Sequence, residues 1–149
     1  MNTKEAKVES PFQLIRTFVS SLSIQNTCLE TSLNTNGERK IDVSYEILHK
    51  SITDDNNHLA LLAMTIKIET KTDDGLFDLD MTIQGVFTAS AKDTPEKVFI
   101  KMLRVNGCSA LYSVARGVIC SISSQLFTGG NVIIPLVNFV RFREIESKE

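Results

Sequence analysis

Two histidines, three cysteines and a run of aspartates are the residues of this 149-residue chain whose types could do chemistry. His49 and His58 belong to no HExxH or Cys/His array, so a metal site is not expected. Cys28, Cys108 and Cys120 are odd in number and widely spaced, which fits neither a disulfide framework nor a zinc site. They read as buried, reduced thiols of a cytoplasmic protein. The stretch "TDDGLFDLD" gathers carboxylates as acid/base catalysis requires. Such pairs need burial to separate their pKa values, and an Asp-Gly hairpin beside a strand leaves these in solvent. There is no GxSxG elbow, and Gly129-Gly130 lacks the Lys-Ser/Thr of a phosphate loop. The expectation is a protein that is not an enzyme and needs no cofactor.

What the chain offers in place of reagents is apolar surface. The segment "FTGGNVIIPLVNF", from Phe127 to Phe139, puts aliphatic residues around a proline after a Gly-Gly turn. It is too short and too broken to cross a membrane, and Pro135 rules out an uninterrupted helix. No other window supplies eighteen consecutive apolar residues, and "MNTKEAKVES" has no signal-peptide core. The composition, 42% hydrophobic and 23% charged, is that of a folded domain. A net charge of -2, with basic residues scattered among acids, argues against a nucleic-acid partner.

The elements that must carry this surface follow from periodicity. "FQLIRTFVSSLSIQ" is strand-like with apolar residues on both faces. "KIDVSYEIL" alternates cleanly, with Ile41, Val43, Tyr45 and Ile47 on one side. "HLALLAMTIKIET" is apolar through its first half, as in a strand covered on both faces, and "LFDLDMTIQGVF" alternates again. Asn36-Gly37, "TDDNN" and Asp74-Gly75 supply turns, which favours antiparallel pairing. Thr94-Pro95 then reads as a helix start, with Val98, Phe99, Met102 and Leu103 on one face and Asn106-Gly107 as a stop. Ser109 would cap a second, longer helix with an apolar stripe at Leu111, Val114, Ala115, Val118, Ile119, Ile122 and Leu126. Gly117 within it predicts a close packing partner. The fold class is α+β: a four-stranded antiparallel sheet with two main helices packed on one face. A single domain over residues 1–149 is expected, with residues 1–10 a flexible start and 143–149 a helix end or flexible tail.

Several of these segments, in this order, resemble the SecB family of chaperones. "FQLIRTFVSSLSIQ" is similar to the family's first strand, "KIDVSYE" to its second and "IQGVF" to the end of its fourth. "LYSVARGVICSIS" resembles the long helix, although Ser113 and Val114 stand where the family has Pro-Tyr. "LFTGGNVIIPLVNF" resembles the family's turn, aliphatic run and Pro-aliphatic-Asn-Phe.

The resemblance implies an ATP-independent holdase that binds unfolded polypeptide, either an antitoxin or a preprotein, and assembles as a homotetramer, a dimer of dimers. It implies a client groove lined by Ile41, Val43, Tyr45, Tyr112, Phe127, Ile133, Ile134, Pro135, Val137 and Phe139. At the two first-strand positions where the family offers carboxylates to the SecA motor, this chain has Ser21 and Gln25, while Asp80 keeps the acid on the fourth strand. That loss, with a chain that ends soon after its last helix, points to an aggregation-prone antitoxin of a toxin–antitoxin–chaperone system as leading client and to weakened contact with SecA. General export of preproteins through SecA is the alternative. A hot-dog-like thioesterase or small-ligand-binding protein is a remote one.

Overall fold

Alternation of apolar and polar residues gives four long strands, and their register sorts the side chains onto two unlike faces. A computed structural model describes residues 11–27, 38–72, 75–126, 134–135 and 137–139, without the side chains of Glu38, Thr72 and Leu126. The strands are β1 (Phe12–Asn26), β2 (Glu38–Ile52), β3 (Asn57–Thr72) and β4 (Gly75–Ser90). They form one antiparallel sheet in the order β1-β4-β3-β2, so β1 and β2 are the edges. Asn56, with φ of 59°, turns the β2–β3 hairpin. The Asn36-Gly37 turn and Asp74 lie outside the described residues.

The core lies on one side of the sheet. Phe77, Leu79, Met81, Ile83 and Phe87 of β4 meet Leu62, Met64, Ile66 and Ile68 of β3 there, all of them buried. The helical segment covers this side. The other side carries no element among the described residues, and Leu59 and Leu61 of β3 are only half-buried on it. Within the described residues of one chain, the apolar first half of β3 is therefore covered on one face and half-buried on the other.

The apolar residues of β1 do not alternate simply because register shifts fall between Leu14 and Arg16 and between Val19 and Ser21. Each inserts an extra residue, as a bulge does, and restores the phase. Phe12, Leu14, Val19, Leu22 and Ile24 consequently all pair with β4 residues of the core side.

The expected stop at Asn106-Gly107 is not there. Helix α1 (Glu96–Met102) passes through a π-helical stretch (Leu103–Gly107) directly into α2 (Cys108–Leu126), with Met102, Leu103 and Cys108 all in the right-handed helical region. The buried positions explain the π-turns. Phe99, Leu103, Gly107, Leu111, Ala115, Ile119 and Ser123 recur every fourth residue. In a pure α-helix each such step drifts about 40° around the axis, and the wider π-turns absorb that drift. Gly107 is kept small by the sheet, since a Cβ there would stand 3.2 Å from Leu62 Cδ2. Ser109 bonds back to the Val105 carbonyl instead of capping a new helix.

The helix start also differs by one residue. Pro95 occupies the cap position with no side-chain cap, and its carbonyl accepts from the Val98 and Phe99 amides. Phe99 and Leu103 are buried, whereas Val98 is exposed. A Cβ added at Gly117 would meet no heavy atom within 4 Å beyond its own helix, so the packing partner expected for it is absent among the described residues of one chain.

Candidate functional site: apolar residues of α2 and β2, and the open sheet face

Ile134 and Pro135, beyond the helix, are held to it through their backbone carbonyls. Tyr112 and Arg116 lie four residues apart on α2 and so project from one face. Arg116 Nε donates to the Ile134 carbonyl at 3.0 Å, and the Tyr112 hydroxyl donates to the Pro135 carbonyl. The Tyr112 and Phe139 rings meet edge to face with centroids 5.5 Å apart. Burial pushes the Tyr112 pKa upward, against the weaker pull of Arg116, so the phenol keeps the proton that it donates.

Of the ten expected groove residues, Tyr112, Ile134, Pro135 and Phe139 are thus brought together. Ile134, Tyr112 and Phe139 are buried, as is Tyr45 on β2, while Pro135 is exposed. Ile41, Val43 and Val137 are half-buried against the same core cluster. Phe127 and Ile133 lie outside the described residues. Arg116 was missed at the sequence level. Its spacing from Tyr112 was a usable signal, but nothing in a sequence marks which carbonyl an arginine will take.

Larger apolar exposure lies elsewhere. Leu14, Ile15, Phe18, Val19 and Leu22 on edge strand β1 are between 37% and 58% exposed. Leu14, Val19 and Leu22 are on the helix side of the sheet, beyond the shelter of α2. The exposed positions of α2 are Ser109, Ser113, Gly117, Ser121, Ser124 and Gln125, and Arg116 is the helix's one charged residue.

The open face of the sheet is polar at one end. Ser44, Thr65, Thr82 and Ser21 form a row of hydroxyls across all four strands, with the two threonine Oγ1 atoms 3.0 Å apart. The next rows read Asp42, Lys67, Asp80, Ser23 and then Lys40, Glu69, Asp78, Gln25. Lys67 Nζ lies 3.9 Å from Asp80 and Lys40 Nζ 4.0 Å from Asp42. A depression of about 350 Å³ is lined by Ser23, Gln25, Lys67, Glu69, Asp78 and Asp80. Ser21, Gln25 and Asp80 therefore share one face, with Asp80 opposite Ser23, the residue midway between the other two.

Among the described residues no group of three or more side chains could hold a metal, and no helix is long and apolar enough to cross a membrane.

The family profile described as "Preprotein translocase subunit SecB" matches residues 5–145. The chain belongs to the SecB family. No curated protein sequence matches it. Among solved structures, a Mycobacterium tuberculosis SecB-like chaperone in complex with a ChAD peptide from the HigA1 antitoxin aligns with a TM-score of 0.56 at 12% identity, covering 85% of this chain and 91% of that one. A Streptococcus agalactiae protein of unknown function aligns with a TM-score of 0.46 at 8% identity, over 84% of this chain and 97% of that one. At such identities the mycobacterial structure speaks to the fold, and the sheet order and covering helix described above are its SecB-like core.

Proposed function

We propose that this SecB-family chain is a cytoplasmic holdase that binds unfolded polypeptide without ATP and without catalysis. The observation that carries this reading is the family match over residues 5–145. The fold adds apolar residues of β2, α2 and the C-terminal stretch that belong to, or pack against, one core cluster. A client side chain buried there contributes roughly 1.5–3 kcal/mol, so three or four give about 5–12 kcal/mol. Ordering the client opposes this by about 2–5 kcal/mol. One site therefore binds weakly and releases readily. Tight holding comes from several sites on one homotetramer engaging the same chain.

The leading client is an aggregation-prone antitoxin. Its support is the uncharged pair Ser21 and Gln25 on the open face, together with the antitoxin peptide bound by the mycobacterial relative. Delivery of preproteins to SecA is the second reading, favoured by the acidic pair Asp78 and Asp80 beside that pair.

The test is suppression of aggregation. Purified protein slows aggregation of an unrelated unfolded polypeptide with no nucleotide present. Ile41→Asp with Val43→Asp removes the effect while the circular dichroism spectrum is kept. Undiminished activity in that variant would move the client surface off β2.

A further inference from the structure

On the open face of the sheet a lysine stands between two acids. Lys67 of β3 is the register partner of Asp80 on β4 and of Asp42 on β2, and its Nζ lies 3.9 Å from Asp80 Oδ2. It is the one cation of the row Asp42, Lys67, Asp80, Ser23. The lysine is the longer side chain and the more exposed, at 61% against 49% for Asp80. A partner approaching this face therefore meets its charge no later than that of the acid. A partner that reads carboxylates must itself be basic, so Asp80 attracts it and Lys67 repels it. Charges steer an encounter over about a Debye length, roughly 8–10 Å, and at that range two opposite charges 3.9 Å apart largely cancel.

We propose that Lys67 is a specificity-determining residue of the open face, which cancels Asp80 toward a basic partner and so turns SecA away alongside the uncharged Ser21 and Gln25. This rests on the second reading above, which places the SecA contact on this face, and it names what keeps that contact weak. An acid matched from within the chain is not an available contact, so the retained Asp80 does not by itself offer SecA a docking charge. The same lysine leaves an apolar client untouched, because Ile41 and Val43 lie on the other face of the sheet. Specificity of this kind comes from a repulsive element added against one partner, without any new contact to the other.

The test measures binding of purified SecA to the full chain at low salt, with a labelled unfolded polypeptide as the control client. Lys67→Gln is expected to tighten SecA binding about threefold, the size of one exposed charge contact. It should also steepen the loss of binding on adding salt and leave the control client unchanged. Adding Asp80→Asn to that variant removes the gain, and Lys67→Arg keeps the unmodified affinity. Should Lys67→Gln not fold, Lys67→Thr, which suits an exposed strand position, carries the same expectations. Unchanged or weaker SecA binding by Lys67→Gln, with an unchanged circular dichroism spectrum, overturns the proposal. A gain that survives Asp80→Asn overturns it too, since the lysine would then act without reference to that acid. If Ser21→Asp with Gln25→Glu tightens SecA binding and Lys67→Gln does not, this inference falls alone. If neither does, SecA does not read the open face, and the second reading falls with it.

Discussion

Gly85 stands beneath Leu111 with no room for a side chain. A Cβ there would lie 2.6 Å from Leu111 Cδ2 and 3.0 Å from Phe87 Cε2, and both neighbours are fully buried. Gly85→Ala is expected to destabilise the fold by about 1–3 kcal/mol, the usual cost of overpacking a filled core. Denaturant midpoints measure it. In a Leu111→Ala background the same substitution is expected to cost less, because the closest clash is gone and only the Phe87 contact remains. Equal costs in both backgrounds would mean that the glycine serves some other purpose. The position was legible in the sequence only as part of "IQGVF" resembling the end of a SecB strand, and its physical reason needed the helix in place. The same limit applies to the site. The apolar character of Tyr112, Ile134 and Phe139 was legible, but their burial was not, since periodicity does not tell a groove from a core.

The helix is tied to the sheet at its start. Lys50 of β2 bonds Glu96 in the first turn of α1, and Nε2 of buried His58 donates to the Thr94 carbonyl at 2.7 Å. The His58 ring also stacks on Phe99, with centroids 4.8 Å apart. The Lys50 hydrogen bond, and next its charge, hold the Glu96 carboxyl below its ordinary value. A depressed carboxylate pKa adds stability above the unfolded-state value and loses it as pH falls through the folded one. Glu96→Gln should therefore lower the thermal midpoint slightly near neutrality and leave it unchanged in acid. A difference that grows on acidification would contradict this sign. Strand existence and pairing sense were legible because period-2 alternation survives in β2 and β4. The β1 register was not, because two inserted residues mimic a strand apolar on both faces. The helix break was misread for a similar reason. Asn-Gly usually ends helices, but here a π-turn places Gly107 against Leu62 and carries the chain through.

At the scale of the whole molecule, one chain leaves surface that a monomer has little use for. Edge strand β1 exposes five large apolar side chains, and α2 turns an outward face of serines and Gly117 to solvent. Such edges invite pairing with another chain, and an uncharged face of small residues allows close helix approach. Both features fit the dimer of dimers implied by the family resemblance. Light scattering is expected to find a tetramer at micromolar concentration, and Val19→Lys with Leu22→Lys to give smaller species with an unchanged circular dichroism spectrum. A monomeric unmodified protein would remove the assembly and the multi-site holding together. Symmetry also multiplies the consequence of the open face. On the proposed reading, each rim charge absent at Ser21 or Gln25 would weaken a contact with SecA by only about 0.5–1 kcal/mol, but two per protomer would recur around the proposed symmetric tetramer. Restoring them with Ser21→Asp and Gln25→Glu adds carboxylates beside Asp78 and Asp80, across the sheet from α2. Affinity for SecA is expected to rise severalfold and to fall again with added salt, as exposed charge contacts do. Antitoxin binding should stay unchanged, because the helix side is untouched. Tight SecA binding by the unmodified protein, with rescue of export in cells lacking SecB, would instead make preproteins the principal clients.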